Sequence, residues 1–342
     1  MRQLGTRSET NPKLSICIPT RNRAGFIGGM LESLIWQIPG HCEIVVLDGA
    51  STDDTGAVVQ RYAHGCDQLR YIRQEENGGI DQDIDRVVQL ANGEYCWLVP
   101  DDDFVRPGAV ARVLDALARD YSLVIVNVDV RDASLSTVLS PNLLGIHQDY
   151  VFSPGDMDGL FRKVGAMLGY LGCGIIKRSI WIERERSRYY GSYFVHLGVM
   201  FQRALPGETH VIAQPLISVR AANQSWLEWQ FEITMIYWPS LVLSFPLDER
   251  TKRKACTARR WVRLGNLLSG RARGRYSFNV YQRSFRPRFW SRWQKLVHSL
   301  IAVMPIWAAA VLSTVHSVFS QYTLSVQRAG FALLRKSKPG HG

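Results

Sequence analysis

The sequence predicts an α/β protein with a doubly wound, mainly parallel sheet, followed by a basic and largely helical C-terminal region. Three observations support this prediction. Short apolar runs alternate with segments of helical periodicity over about the first 130 residues. Polar residues follow the ends of those runs. The net charge of +11 is divided, because residues 250–342 contain 19 Lys and Arg and no Asp or Glu, whereas residues 1–249 carry a net charge of −8.

The strands and helices are predicted in strict alternation. Buried strands are expected from apolar runs at 14–18, 43–47, 69–73, 95–99 and 123–128. Helices are expected from apolar periodicity and helix-start residues at 24–37, 55–62, 80–90 and 107–119. Pro107 is expected in the first turn of the last of these helices. Sheets of this kind bind ligands beyond the carboxyl ends of their strands, which is where we expect the functional site.

Composition and missing motifs exclude several classes of protein. Apolar residues make up 46% and charged residues 21%, which is typical of a folded globular chain. The acidic first part rules out a uniformly basic nucleic-acid-binding domain. A polar N-terminus and six cysteines without CxxC spacing predict a reducing, cytoplasmic setting and no zinc knuckle. The lack of GxGxxG and GxxxxGK[ST] argues against a dinucleotide dehydrogenase and a P-loop enzyme.

Three adjacent aspartates, Asp101, Asp102 and Asp103, follow the fourth predicted strand. Neighbouring carboxylates repel one another unless a positive charge offsets them. A divalent cation, Mn²⁺ or Mg²⁺, would explain the cluster, because such ions take one or two protein carboxylates and complete their shell with water and phosphate oxygens. The alternative is an exposed acidic turn that caps the next helix.

Four segments resemble the family 2 glycosyltransferases, which have the GT-A fold. They are SICIPTRNRAGFIGGMLESL from Ser15, EIVVLDGASTDDT from Glu43, ENGGIDQDIDRVVQLANGEYCWLVPDDD from Glu76, and the proline at Pro107. Their order and spacing agree over roughly residues 14–120. The form with NGGIDQD and three aspartates is similar to the branch of abequosyltransferase-like enzymes of bacterial O-antigen assembly.

This resemblance implies roles for particular residues. A nucleoside pocket would be lined by Pro19, Thr20, Arg21 and Asn22. Asp48 would hydrogen-bond the base, Asp81 would lie by the nucleoside or diphosphate, and Asp101 would contact the ribose. Asp102 and Asp103 would hold the metal on the diphosphate.

The chain also departs from the family pattern. Ile84 and Asp85 stand where Arg-Asn is common, and Pro100 stands where the metal motif usually begins. The resemblance therefore leaves open which aspartate is the direct metal ligand.

The catalytic base is less well marked than the metal site. Inverting sugar transfer needs a group that takes the proton of the acceptor hydroxyl. The family commonly uses an Asp, often in a Glu-Asp pair, but His196 stands near the expected place. An imidazole can serve as this base, although a histidine packed in the core is the competing interpretation. Four carboxylates are further candidates for the base: Asp156, Asp158, Glu183 and Glu185.

An acceptor site is expected in the aromatic-rich stretch 142–247, where aromatic rings could stack on sugars or simply form core. Arg220 and Asn223 are candidate acceptor contacts. The absence of the QxxRW signature favours transfer of a single sugar over polymerisation.

The domain prediction divides the chain near residue 250. Residues 1–249 form the catalytic domain, with a nucleotide-binding half at about 14–130 and an acceptor half at about 131–249. Residues 250–342 form a basic tail in which 296–327 carry no Asp, Glu, Lys or Arg, and Pro305 divides this run. Its second half, from 311 to 326, is amphipathic at helical spacing. Basic flanks favour in-plane or re-entrant helices on the inner leaflet over a true span or a soluble helical subdomain.

Together these features predict a metal-dependent glycosyltransferase that is peripheral on, or re-entrant in, the cytoplasmic membrane. Its partners would be a nucleoside-diphosphate sugar, a saccharide or lipid-linked saccharide acceptor and the inner-leaflet surface, and no nucleic acid is expected. One competing function is nucleic-acid binding by the basic aromatic tail. Another is nucleotidyl transfer on a similar sheet, although the glycine-rich GxGTR start is missing.

Overall fold

The computed structural model describes residues 11–221, 223, 229–256, 264–288 and 291–316. The described residues form two compact units. The first lies within Met1–Gln224 and Ser240–Thr257, and the second within Ser225–Pro239 and Ala258–Gly342.

The first unit is built on a sheet of ten strands among the described residues. The strands are β1 (Leu14–Thr20), β2 (Cys42–Asp48), β3 (Leu69–Arg73), β4 (Tyr95–Leu98), β5 (Phe104–Val105), β6 (Leu123–Arg131), β7 (Val138–Ser140), β8 (Tyr150–Phe152), β9 (Gly174–Lys177) and β10 (Thr209–Arg220). Their order is β3-β2-β1-β4-β9-β6-β10-β5, with β7 paired to β6 and β8 to β10.

Helices lie between and after the strands. Those of the first half are α1 (Ile27–Ile35), α2 (Thr55–Ala63), α3 (Ile80–Leu90), α4 (Ala109–Leu117), α5 (Met157–Val164), α6 (Arg178–Glu183) and α7 (Val195–Phe201). Those that follow are α8 (Gln230–Glu232), α9 (Trp238–Ser244), α10 (Glu249–Ala255), α11 (Leu264–Ala272), α12 (Phe278–Val280), α13 (Arg292–Val303) and α14 (Ile306–His316).

The sheet is mainly parallel, as predicted. β1 pairs in parallel with β2 and β4, β2 with β3, and β6 with β10. β9 is antiparallel to both of its neighbours, β4 and β6, so those two neighbours run in the same direction. All seven residues of β1 and of β2 are buried, because helices cover both faces of a parallel sheet.

One predicted helix start is wrong. Pro107 precedes α4 instead of lying in its first turn, because Gly108 caps the helix with a left-handed φ of 77°. The predicted helix is also too long at its C-terminal end, because α4 ends at Leu117 and the prediction extended to residue 119.

The second unit has a helical core of its own. It is centred on Phe231, Leu267, Tyr276, Phe285 and Ile301. Arg283 pairs with the buried Glu232 at 2.8 Å in the same unit.

α13 and α14 of this unit meet at Met304 and Pro305 with a bend of 116°. No single helix in the described part of the chain has the length and apolar composition to cross a bilayer. The bent pair reaches those limits only when both helices are taken together. The predicted amphipathic segment beyond residue 316 lies outside the described residues.

Candidate active site

The ends of β1 and β2 meet side by side, because Thr20 pairs with Asp48 in the parallel register. The loops that follow are joined by hydrogen bonds. The Asn22 backbone N–H donates to Ser51 Oγ at 2.9 Å, and the Thr52 N–H donates to Asn22 Oδ1 at 2.7 Å. Asn22 has a φ of 53°, a left-handed conformation that asparagine tolerates better than most residues. The predicted nucleoside-pocket segment from Pro19 to Asn22 is therefore fixed against the end of β2.

Asp48 is fully buried beneath these loops. Its Oδ1 accepts the Ser51 N–H at 2.8 Å, and its Oδ2 accepts the Tyr71 hydroxyl at 2.7 Å. Burial, together with this hydrogen bond and the carboxylate charge, raises the pKa of Tyr71. Both oxygens of Asp48 thus already serve the protein, and its role toward a base stays a prediction.

A second carboxylate, Asp83, lies beside the end of β2 and was missed by the sequence analysis. It is buried, and a Cβ on Gly49 would stand only 2.5 Å from its Oδ2. Burial raises the pKa of Asp83, while a hydrogen bond from Gln74 at 2.5 Å and the charge of Arg21 oppose that rise. One sequence signal could have indicated that the Asp83 side chain points inward. Asp83 lies four residues before Val87 and therefore on the same face of the predicted helix.

The three aspartates after β4 differ in their surroundings. Asp101 and Asp103 are buried, whereas Asp102 is half-buried. The Arg23 guanidinium lies between the first two, with Nε 3.5 Å from Asp101 Oδ1 and Nη2 3.7 Å from Asp102 Oδ2. Arg23 directly follows the predicted pocket segment, yet no local pattern distinguished it from Arg21. It is the cation that the sequence analysis did not assign to the site.

Two of these carboxyls have strongly perturbed acidity. Burial and then the charge of Asp102 raise the pKa of Asp101 to about 7, against opposing contributions from Thr20 and Arg23. Burial and the same neighbour raise the pKa of Asp103 to about 7. Burial also raises the pKa of Asp102, and Arg23 opposes it. Clustered carboxyls with raised pKa values are typical of functional sites.

Residues distant in sequence hold the last two aspartates in place. The Tyr170 hydroxyl donates to Asp103 Oδ2 at 2.6 Å, and the Arg220 N–H donates to Asp103 Oδ1 at 2.8 Å. Asn223 Nδ2 donates to Asp102 Oδ2 at 2.9 Å. Arg220 and Asn223, predicted as acceptor contacts, therefore bind the aspartate segment in this structure. Tyr170 had no sequence signal, because its partner is 67 residues away.

The same carboxylates fit a hard divalent cation. In the described part of the chain, no group of three or more His, Cys, Asp or Glu converges closely enough to hold a metal by itself. Asp102 is half-buried and lies between Asp101 and Asp103, whose burial favours the protonated form of each carboxyl. This arrangement matches a metal site in which the protein supplies only one or two ligands. Phosphate and water oxygens complete the shell of Mg²⁺ or Mn²⁺ in such sites.

Asp81, predicted near the nucleoside or diphosphate, caps α7 in the structure. Its Oδ2 accepts the Tyr193 N–H at 2.8 Å, and its Oδ1 accepts the Val195 N–H at 3.0 Å. Burial raises the pKa of Asp81, and these backbone hydrogen bonds oppose the rise. The contacts tie the start of α3 to the start of α7, and any contact with a nucleotide stays a prediction.

His196, the predicted base, lies in the first turn of α7 and is 3% exposed. It lines a cavity of about 10 Å³ with Tyr170, Met200 and Phe201. Both ring nitrogens are buried and make no hydrogen bond within the described residues. Burial lowers the pKa of His196 to about 3, so the ring is neutral. This placement is that of a core histidine and does not favour contact with an acceptor hydroxyl.

The mainly parallel sheet, with carboxylates at its strand ends, has the GT-A fold. Residues 15–172 match the family model described as glycosyl transferase family 2. The match covers a little under half of the chain, and over this segment the chain is similar to the family 2 glycosyltransferases, which supports glycosyltransferase activity.

Two bacterial enzymes illustrate its relatives. The chain is 28% identical to abequosyltransferase RfbV of Salmonella typhimurium over 227 residues, which cover 62% of this chain and 68% of that protein. It is 30% identical over 151 residues to a Campylobacter jejuni enzyme named GalNAc(5)-diNAcBac-PP-undecaprenol beta-1,3-glucosyltransferase. That match covers 42% of this chain and 47% of the enzyme.

Solved structures agree in fold. S. aureus TarS 1–349 in complex with UDP-GlcNAc superposes with a TM-score of 0.56 at 14% identity, over 84% of this chain and 89% of that one. The mannosyltransferase PcManGT from Pyrobaculum calidifontis, in complex with GDP-Man and Mn²⁺, gives a TM-score of 0.52 at 14% identity. That alignment covers 91% of this chain and 81% of PcManGT.

Proposed function

We propose that the protein transfers a single sugar from a nucleoside-diphosphate sugar to a lipid-linked saccharide, in a metal-dependent and inverting step of cell-surface polysaccharide or O-antigen assembly. The observation that carries the proposal is the cluster of Asp101, Asp102 and Asp103 with raised pKa values, held beside the ends of β1 and β2. The names of the relatives, an abequosyltransferase and a glucosyltransferase with an undecaprenol diphosphate substrate, support the sugar and lipid parts.

Each residue has a definable task in this reaction. Within the segment from Pro19 to Asn22, Arg21 and Asn22 are exposed and would contact the nucleoside, whereas Pro19 and Thr20 are buried beneath them. Arg23 stands between Asp101 and Asp102, where its charge can also attract a diphosphate. The half-buried Asp102 would be the main ligand of the divalent cation, and Asp103 stays a predicted second ligand although both of its oxygens accept hydrogen bonds. The cation would offset the charge of the leaving nucleoside diphosphate. Tyr170 and Arg220 keep Asp103 in a fixed orientation.

The nucleotide and metal parts can be tested by thermal shift. The full chain would be heated with UDP, GDP, CDP or dTDP, each with and without Mn²⁺. We expect at least one diphosphate to raise the melting temperature, and to do so more with Mn²⁺. Saturation at about 100 times Kd adds about 2.7 kcal/mol to the free energy of unfolding.

A matched pair of variants makes this test specific. Asp102→Asn should remove the Mn²⁺-dependent part of the shift while the protein stays folded. Asp115→Asn, an exposed carboxylate of α4, is the control and should behave as the wild type. The proposal is wrong if no diphosphate shifts the melting temperature with Mn²⁺, or if Asp102→Asn retains the full metal-dependent shift.

Association with the cytoplasmic membrane is part of the proposal, and α13 supports it. One face of this helix packs into the second unit through His298, Ile301 and Ala302. The opposite face is also apolar yet exposed, with Trp293 70% and Leu300 55% accessible. A helix that is apolar all round needs a second apolar partner.

The exposed face continues on α14. Its outward residues include Ile306, Trp307 and Val311, of which Trp307 is 73% accessible. Arg292 and Lys295 lie in the first turn of α13, beside this apolar surface. Apolar area together with adjacent basic residues suits an anionic leaflet, to which each basic residue contributes about 1 kcal/mol.

Vesicle flotation tests the membrane part. The full chain should float with phosphatidylglycerol vesicles, less so with phosphatidylcholine vesicles. The double variant Trp293→Ser and Trp307→Ser should lose most of this recovery. Trp36→Ser, which replaces an exposed tryptophan of the first unit, is the matched control. Undiminished flotation of the double variant, or no flotation of the wild type, would count against membrane association.

A further inference from the structure

An open groove of about 390 Å³ lies beside α1 in the first unit. Glu32 of α1 and Trp36, which directly follows the last residue of α1 in helical conformation, line it and are four residues apart, therefore on the same face. Phe104 of β5 and Leu135, in the turn between β6 and β7, line it too. The volume is within the range of about 300–1,000 Å³ that small-molecule sites occupy.

The groove joins the aspartate cluster directly. Asp103 and Arg220 belong to its lining. Arg220 donates from Nε to the Asp102 carbonyl at 3.0 Å, and its guanidinium stands 5.5 Å from the Phe26 ring centre. A ligand seated in the groove is therefore next to the carboxylates to which we assign the diphosphate and the metal.

The exposed side chains of the groove have the chemistry that binds sugars. Trp36 is 59% accessible and presents a large aromatic surface. Aromatic faces pack on the C–H face of a pyranose, and hydroxyl groups donate to carboxylates. Glu32 is exposed on the same wall and forms no ion pair with any residue between 11 and 221 that the structure describes. The lining has two carboxyls, Glu32 and Asp103, and one cation, Arg220, whose Nε already donates to the Asp102 carbonyl. This balance disfavours a phosphate and favours a neutral ligand rich in hydroxyls.

We propose that this groove binds the acceptor saccharide, with Trp36 as the stacking surface and Glu32 as an acceptor of sugar hydroxyl hydrogen bonds. This inference rests on the proposed glycosyl transfer, because it places the second substrate of that reaction. The donor nucleotide then occupies the side of the aspartate cluster near Arg23, and the acceptor occupies the side near Arg220.

Binding can be measured without knowing the natural acceptor. Saturation-transfer difference NMR would be recorded on the full chain with the methyl glycosides of glucose, galactose, mannose and rhamnose. We expect at least one glycoside to receive saturation from the wild type. Trp36→Ala should weaken its binding by about fivefold, the value of one aromatic stacking contact.

Two further variants make the result specific. Gly29→Phe should block the groove, because a Cβ at Gly29 meets open space and a ring there would fill the cavity. Leu139→Ala removes an equally exposed apolar side chain, 59% accessible, that does not line the groove, and it should bind as the wild type does.

The outcomes separate this inference from the proposed function. Thermal shifts by nucleoside diphosphates should be unchanged in Trp36→Ala and Gly29→Phe. If no glycoside binds, or if binding persists in both groove variants, the saccharide site is refuted even when the diphosphate shift is intact. Loss of the diphosphate shift in the wild type would instead count against the proposed function.

Discussion

His196 can be tested as a catalytic base or as a core residue, because the two roles predict different effects on stability and on sugar transfer. A buried neutral histidine makes the stability of the protein depend on pH. Its folded pKa of about 3 lies below the ordinary value of 6.5. Between these values the unfolded state binds a proton that the folded state does not. Stability is therefore lost as the pH falls from about 6.5 toward about 3. From pH 7 to pH 5 the free energy of unfolding should drop by about 2 kcal/mol through this residue alone.

The substitution His196→Leu should remove that dependence. Leucine suits the apolar surroundings of Leu168, Met200 and Phe201 and cannot titrate. Urea unfolding at pH 7, 6 and 5 would be compared for the wild type, His196→Leu and the exposed control His41→Leu. We expect the loss between pH 7 and pH 5 to be about 2 kcal/mol smaller in His196→Leu only, with sugar transfer retained at pH 7. A pH dependence equal to that of the wild type would refute the buried neutral imidazole. Abolished transfer in a folded His196→Leu would instead establish the predicted base.

Three other substitutions test the site. Arg23→Gln removes the charge that lowers the pKa values of two aspartates, and we expect about tenfold weaker binding of nucleoside diphosphate by calorimetry; unchanged affinity would contradict the assigned role. Tyr170→Phe deprives the buried Asp103 of a 2.6 Å hydrogen bond and should lower the free energy of unfolding by about 1–3 kcal/mol in urea, whereas a loss below about 0.5 kcal/mol would show that the bond contributes little. Gly49→Ala would put a Cβ 2.5 Å from Asp83 Oδ2 and should cost about 1–3 kcal/mol in the same assay; a neutral result would mean that the carboxylate moves freely.

Much of the first half of the fold was predictable because β1, β2 and β4 are buried along their whole length. The runs at 69–73 and 80–90 coincide with β3 and α3, and 43–47 differs from β2 by one residue at each end. A strand that helices cover on both faces is mostly apolar, so its limits are marked in the sequence.

The second half of the sheet was not predictable in the same way. β10 is the longest strand, yet Gln214 and Pro215 interrupt its apolar pattern and its pairing with β6 shifts register there. β5 has two residues, too few to show any periodicity. These strands depend on tertiary pairing with β6 and β10, which no local pattern encodes.

The candidate site was also predictable only in part. The three aspartates are adjacent in sequence, and their position after a strand indicated their importance. Tyr170, Arg220 and Asn223 reach them from 67 to 121 residues away, so their contacts become visible only in the fold. His196 was predicted from spacing alone, and spacing carries no information about burial.

The acidic face of α3 bears on how mutational data for this enzyme should be interpreted. Asp81 fixes the backbone of Tyr193 and Val195, while Asp85 accepts hydrogen bonds from Trp181 Nε1 at 2.8 Å and the Tyr190 hydroxyl at 2.5 Å. Both carboxylates therefore connect segments that are distant in sequence through hydrogen bonds. In an alanine scan that measures only product formation, both residues would be mistaken for catalytic residues. Their loss would lower activity because a loosened α7 would disturb the site. Circular dichroism or protease resistance measured on the same variants would separate scaffold residues from those that touch substrate.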